Sequence, residues 1–153
     1  MPRTKPFNEH PYKYEKWFIK NTYAYESELL AVKKHLPKEG VECEIGVGSG
    51  RFAAPLGIRI GVEPSRKMRM ICKKKIETLI DSIGESLPFK NTVFDYVLMV
   101  TTICFIDDIE GSFKEIYRTL KKEGELIIGF IDRNYFSSSP SYKGNGTNRR
   151  RIR

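Results

Sequence analysis

The stretch VECEIGVGSGR, residues 41–51, sets glycine at every second position (Gly46, Gly48, Gly50) directly after an apolar run. Glycines so spaced let a ligand approach bare main chain, because no Cβ stands in the way. Two familiar ligands do not fit. A loop for nucleoside triphosphates ends in Gly-Lys-Ser/Thr, which is absent here. The dinucleotide fingerprint G-x-G-x-x-G needs glycine at position 51, where this chain has Arg51. Glu44 precedes the loop, and Glu63 ends the next apolar run, IRIGVE. A carboxylate at that second strand tip can accept hydrogen bonds from both hydroxyls of a ribose. Glu44 would repel a pyrophosphate but suit a cationic or amino-bearing group. The expected ligand is a nucleoside with little or no phosphate. The competing reading makes Glu44 and Glu63 solvated strand-end residues.

Such groups need a scaffold, and the flanking pattern supplies one. VECEI and IRIGVE read as strands joined by a short link, RFAAPLG. Pro64 keeps Glu63 out of helical geometry, and Ser65 is placed to cap the helix SRKMRMICKKK. A short strand is expected over 76–80. VFDYVLMV (93–100) is a continuous apolar run of the kind buried on both faces of a sheet. Residues 108–121 carry Ile109, Phe113, Ile116, Tyr117 and Leu120 at helical spacing, and GELIIGFI reads as a fifth strand. Strands alternating with helices predict a parallel sheet of βαβ units, with ligands bound beyond the carboxyl ends of the strands. At the N-terminus, YAYESELLAVKKHL predicts a helix ended by Pro37 and Gly40, with His35 as a helix-end residue. Before it lies an arm rich in proline and aromatics, in which His10 is a weak candidate for a base. The expected organisation is an N-terminal arm and helix (1–36), a ligand-binding core (37–136) and a basic, disordered tail (137–153).

The blocks EIGVGSGRF, IGVEPSRKM, GESLPF, FDYVLMVTTICFIDD and EIYRTLKKEGELIIGF follow one another within roughly residues 12–132. In this order they resemble class I S-adenosylmethionine-dependent methyltransferases, most of all the small-molecule group related to quinone-biosynthesis and histamine methyltransferases. The resemblance implies a Rossmann-like open α/β sheet sandwiched by helices, with strand order 3-2-1-4-5-7-6, of which about five strands are recognisable. It implies S-adenosylmethionine as cofactor and a small-molecule methyl acceptor. Glu44, Gly46 and Gly48 match the loop around the methionine part of the cofactor, and Gly50 the turn into the next helix. Glu63 matches the acid on the ribose hydroxyls, with Pro64 and Met68 near the adenine. Ile83, Gly84 and Glu85 match the adenine edge, and Val100 and Thr101 backbone contacts to methionine. Ile83 stands where many relatives carry an aspartate for the adenine amino group, so only backbone and apolar contacts are expected there.

No dedicated catalytic residue is required for an in-line methyl displacement, and none stands out. Tyr14, Trp17 and Phe18 are candidates for a lid, which the resemblance favours, or else pack the first helix onto the sheet; Cys104 and Phe105 either wall the methyl group or pack in the core. Two missing strands would leave the fifth strand with an open edge. The expectation is therefore a shortened chain that pairs this edge in a homodimer, or a truncated and catalytically silent module that binds cofactor or a partner. A nicotinamide oxidoreductase is disfavoured by Arg51.

Composition narrows the rest. The net charge of +8 tempts one toward nucleic acid, but Lys143, Arg149, Arg150, Arg151 and Arg153 supply five of those charges in the last eleven residues. No specific nucleic-acid site is expected. Apolar residues make up 40% of the chain, yet none of its runs has the length of a membrane span. The first residues lack a secretory signal's apolar segment, which predicts the cytoplasm. Cys43, Cys72 and Cys104 lack metal-ligand spacing, so no metal is expected, and Cys43 reads as a small buried hydrophobe.

Overall fold

The structure is a computed structural model and describes residues 3–130. The basic tail expected at 137–153, and Ile131 at the end of the fifth expected strand, lie outside the described residues.

A five-stranded parallel sheet forms the centre, in the order β3-β2-β1-β4-β5. Its strands are β1 (Glu42–Ile45), β2 (Ile60–Val62), β3 (Thr78–Ile80), β4 (Phe94–Val100) and β5 (Leu120–Gly129). This is the open α/β Rossmann-like architecture that the sequence pattern predicts. The order reverses at β1, which pairs with β2 on one side and β4 on the other, with Cys43 opposite both Ile60 and Val97. The glycine loop therefore leaves the sheet at the switch point, where open α/β folds bind ligands.

The helices are α1 (Lys5–Glu9), α2 (Pro11–Lys20), α3 (Thr22–His35), α4 (Ala53–Leu56), α5 (Arg66–Cys72) and α6 (Ile109–Thr119), with a 3-10 turn at Ile103–Phe105. Side chains alternate between two apolar layers, as the pleat requires. Tyr96, Leu98 and Val100 pack with Phe18, Val32, Phe52 and Ala53 on one face; Cys43, Ile45, Val97 and Met99 pack with Ile116 and Leu120 on the other. Cys43 and Cys72 are both fully buried.

Local signals set several boundaries. The Ser65 hydroxyl accepts from Met68 N–H at 3.3 Å and caps α5 as expected; Asp108 caps α6 through Gly111 N–H at 2.9 Å. Several boundaries differ from the sequence reading, among them the fifth strand, which begins at Leu120 instead of Gly124, and the helix after Ser65, which stops at Cys72. The third strand is shorter than 76–80, and the last helix stops at Thr119 instead of 121. Leu120 leaves the helix because it pairs with Phe94, while Thr119 C=O accepts from Val93 N–H at 2.7 Å. The larger difference is N-terminal. Residues 5–20 form two helices where the sequence indicated an arm. Pro11 occupies the first turn of α2, where its missing N–H costs nothing, and Tyr14 and Phe18, one turn apart, share the inward side. The pairing of β5 is with β4 alone; among the described residues no strand covers its other edge.

Candidate functional site

A cavity of about 190 Å³ opens at the carboxyl ends of the central strands. Ile45, Gly46 and Gly48 line it from β1 and its loop, Val62, Glu63 and Pro64 from the end of β2 and the residues after it, and Val100, Thr101 and Thr102 from the end of β4 and the turn that follows. Residues 82–85 form a further wall, including Ile83, Gly84 and Glu85. Arg3, Thr4, Phe7 and Tyr14 cover it from the N-terminal segment, and Phe105 and Ile106 close the remaining side.

The glycines serve different ends. Gly46 has φ 71°, and a Cβ there would press into the Thr102 side chain. Gly48 has φ 56° and faces Tyr14, whose Oη would lie 3.4 Å from an added Cβ. Gly50 has φ 81° and turns away from the cavity; its missing side chain makes room for Cys72 Sγ, 3.0 Å from a notional Cβ.

Both acids are buried, which removes the reading of solvated strand ends. Glu63 is 6% exposed and its carboxylate accepts from Gly48 N–H at 2.9 Å and Ser65 N–H at 2.7 Å. It thereby ties the glycine loop to the start of α5, and with one of these bonds on each oxygen it retains acceptor capacity where it lines the cavity. Burial pushes its carboxyl above the usual range, against the pull of those two bonds. Glu44 is 2% exposed, lies behind the loop instead of on the cavity surface, and leaves Oε2 without a partner. Burial raises its carboxyl well above the usual range; the Ala53 N–H opposes that and the charge of Glu63 adds to it. A buried carboxyl oxygen with no donor is costly, and a ligand amino group would relieve the cost.

Beyond β4 the chain is strained. Thr101 has φ 52°, a region that β-branched residues rarely enter. Its N–H donates to Gly129 C=O at 2.7 Å and its hydroxyl to Val100 C=O at 2.8 Å, holding the turn against the cavity. The 82–89 wall is fixed from α6. Arg118 donates to Leu87 C=O at 3.0 Å and Phe89 C=O at 2.7 Å, while Glu115 accepts from Leu87 N–H at 2.9 Å. Glu85 accepts from Asp107 N–H at 3.0 Å, so it braces the opposite wall.

Among the expected site residues, Gly46, Gly48, Glu63, Pro64, Ile83, Gly84, Glu85, Val100, Thr101, Tyr14 and Phe105 line the cavity. Glu44, Gly50, Met68, Trp17, Phe18 and Cys104 do not. Met68 is fully buried beneath it, Phe18 belongs to the core, and Cys104 is exposed with Sγ donating to Thr101 C=O. The sequence reading omitted Ile45, Val62 and Ser82 as well as Arg3, Thr4, Phe7 and Thr102. Phe7 had a signal in the aromatic richness of the arm, while Arg3 had none. Arg3 reaches Asp107 at 3.2 Å and Cys104 C=O at 3.4 Å across the site.

Comparison with known proteins gives a consistent result. The family described as "Methyltransferase domain" matches residues 43–128. An uncharacterised protein of Methanocaldococcus jannaschii is 44% identical over 130 residues, covering 85% of this chain and 63% of its own length. Phosphoethanolamine N-methyltransferase 2 of Caenorhabditis elegans is 30% identical over 107 residues, 65% of this chain and 24% of that protein. A crystal structure from Thermotoga maritima, described as a SAM-dependent methyltransferase and "possible histamine N-methyltransferase", superposes with a TM-score of 0.84 at 50% identity. It covers 88% of this chain, which spans 65% of that one. The chain thus spans less than two thirds of the length of each of these proteins.

Proposed function

The chain belongs to the class I S-adenosylmethionine-dependent methyltransferases, and on that premise we propose that it binds S-adenosylmethionine in this cavity and transfers its methyl group to a small-molecule acceptor. The observation that carries the reading is the pairing of a glycine cradle with two buried acids of different surroundings. Gly46 and Gly48 offer bare main chain; Glu63 lines the cavity and retains acceptor capacity; Glu44 holds an oxygen without a donor behind the same loop. These residues fit a ligand with a ribose diol and an amino-bearing chain. Bound there, S-adenosylmethionine would supply a methyl group on a sulfonium: an acceptor's lone pair would bond to the methyl carbon as the carbon–sulfur bond breaks, with S-adenosylhomocysteine as the leaving thioether.

What the chain contributes is alignment and exclusion of water. Positioning alone can lower such a barrier by about 7–11 kcal/mol. Phe7, Tyr14 and Phe105 pack edge-to-face (Phe7–Tyr14 5.7 Å, Phe7–Phe105 4.9 Å), an aromatic wall that tolerates a cation. Burial first, and then the nearby acids, raise the Tyr14 hydroxyl, so it stays protonated. Tyr14 therefore serves as wall or donor, not as base. The lid reading of the N-terminal segment is carried by Tyr14 and Phe7, with Trp17 and Phe18 as its anchor. Two similar proteins, one described as a possible histamine N-methyltransferase and one as a phosphoethanolamine N-methyltransferase, support a nitrogen acceptor. No helix among the described residues is long and apolar enough to cross a membrane; a cytoplasmic location is part of the same proposal.

Calorimetry with S-adenosylmethionine, S-adenosylhomocysteine and NAD tests the reading. The first two are expected to bind and NAD to give no heat; binding of NAD alone would overturn it. Glu63→Ala should weaken S-adenosylhomocysteine binding by about 1–3 kcal/mol, since charged hydrogen bonds disappear. An unchanged affinity would mean that the ribose is held elsewhere. The silent-module alternative predicts the same heats and no methylated product. The β5 edge, uncovered among the described residues, supports a homodimer as well; a light-scattering mass of twice 17.7 kDa is expected, and a stable monomer would refute it.

A further inference from the structure

We propose that Glu15 is a positioning residue for the cofactor: one carboxylate on α2 joins the glycine loop to the segment covering the cavity, so the shape of the loop and the closure of the cover are one state. The inference rests on the cofactor reading above and adds residues that the reading does not use.

Helix α2 straddles the loop. Neighbouring residues on a helix point about 100° apart, so Tyr14 faces the cavity above Gly48 while Glu15 reaches the loop's outer side. There Glu15 accepts from the Ser49 hydroxyl with one oxygen. The other oxygen accepts from Arg51 Nε at 3.1 Å and Nη2 at 2.7 Å. The pair is mostly sheltered, with the Glu15 side chain 16% exposed and that of Arg51 26%. The guanidinium also lies 5.3 Å above the Phe18 ring. Burial alone would raise the Glu15 carboxyl, but the bonds from Arg51 and Ser49 and the guanidinium charge outweigh it and hold it below the usual range. Two more groups grip the same loop: Tyr25 Oη donates to Arg51 C=O at 2.5 Å, and Lys75 Nζ to Ser49 C=O at 2.8 Å.

Arg51 thus has a physical reason for standing where a dinucleotide site needs glycine. It is the cation that binds α2 to the loop. Among the described residues the covering segment is also anchored by Arg3 on Asp107, which is more exposed than the Glu15 contact, and by Asn8 on Ser65 (2.8 Å). Tyr14 and Phe7 line the cavity from the covering segment, and lifting α2 away from the loop would break the Glu15 contacts. Departure of the cofactor should therefore depend on Glu15 more than its arrival does.

Trp17 is the chain's single tryptophan and sits on α2 against Phe18, at 5.2 Å, so its fluorescence reports on the latch. In stopped-flow measurements with S-adenosylhomocysteine, Glu15→Gln should raise the dissociation rate roughly tenfold and change association less than about twofold. Arg51→Met should do the same, and the double variant should add little further. In the ligand-free protein, hydrogen exchange of the peptide over residues 46–51 should quicken in Glu15→Gln. A variant that loses only thermal stability, with dissociation and exchange unchanged, would overturn the proposal and leave Glu15 a simple staple. Faster exchange in a protein whose wild type does not bind S-adenosylhomocysteine would uphold the clamp and overturn the cofactor reading instead.

Discussion

Replacing Gly46 with alanine is expected to destabilise the protein by about 2–5 kcal/mol, the sum of a left-handed backbone and an overpacked contact. At φ 71° an L-residue is strained whatever the space around it. Here there is no space either: an added Cβ overlaps the Thr102 methyl and hydroxyl and lies 2.9 Å from its Cβ. Turning the threonine does not remove the last contact, and its hydroxyl is engaged with Gly46 C=O at 3.3 Å and Val100 C=O at 3.1 Å. Urea denaturation should show the midpoint fall with the slope unchanged. Thr102→Ala in the same chain should recover part of the loss, because the two closest atoms vanish while the Cβ contact and the backbone strain stay. An alanine variant as stable as the wild type would mean that the loop after β1 does not pack on the loop after β4. That packing brings Val100 and Thr101 beside the glycine cradle, so the site would have to be redrawn.

Glu44→Gln is expected to move stability and binding in opposite directions. The substitution keeps an acceptor for Ala53 N–H and removes an acid that is buried with one oxygen unpaired and the Glu63 charge nearby. The ligand-free variant should gain on the order of 1–3 kcal/mol at alkaline pH, a rise of roughly 2–4 °C for each kcal/mol in a chain of this size. The sign of the pH dependence follows from the raised carboxyl. The folded state holds this proton more tightly than the unfolded chain, so the wild type has its full stability below the ordinary glutamate range. It loses stability as pH rises through the folded group's higher value. The gap between variant and wild type should therefore be small near pH 4, widen above it, and then level off. Comparing the two proteins cancels the titration of other groups. Affinity for S-adenosylhomocysteine should fall by about 1.5–3 kcal/mol, because an amide cannot ionise behind the loop when the ligand's amino group arrives. A variant that binds as tightly as the wild type would assign Glu44 to folding alone. A variant less stable at every pH would mean that the ionised acid has a partner in the folded protein.

Much of the site was legible because its determinants are local. Gly46 and Gly48, the strand VECEI, the doubly buried run of β4 and the Ser65 cap each act within a few residues of themselves, through backbone freedom, side-chain period or one hydrogen bond. Alternating strands and helices then imply a parallel sheet, and the sheet puts the loop after β1 at the switch point. Family motifs carried Glu63, Ile83, Gly84 and Thr101 to the same place, and the structure brings all four to the cavity wall.

The rest depended on residues far apart in the chain. Glu44 looked like a possible solvated strand end; the tertiary structure buries it, gives it the Ala53 N–H of α4 and leaves one oxygen short of a donor. Arg51 looked like a missing glycine, until its partner Glu15 came from a helix 36 positions away. Gly50 looked like part of a ligand cradle and instead makes room for Cys72. Alternation, caps and turns fix which elements form and in which order, since they depend on neighbours in sequence. Burial, charge pairing and close packing depend on neighbours in space, and the tertiary structure alone decides who those neighbours are.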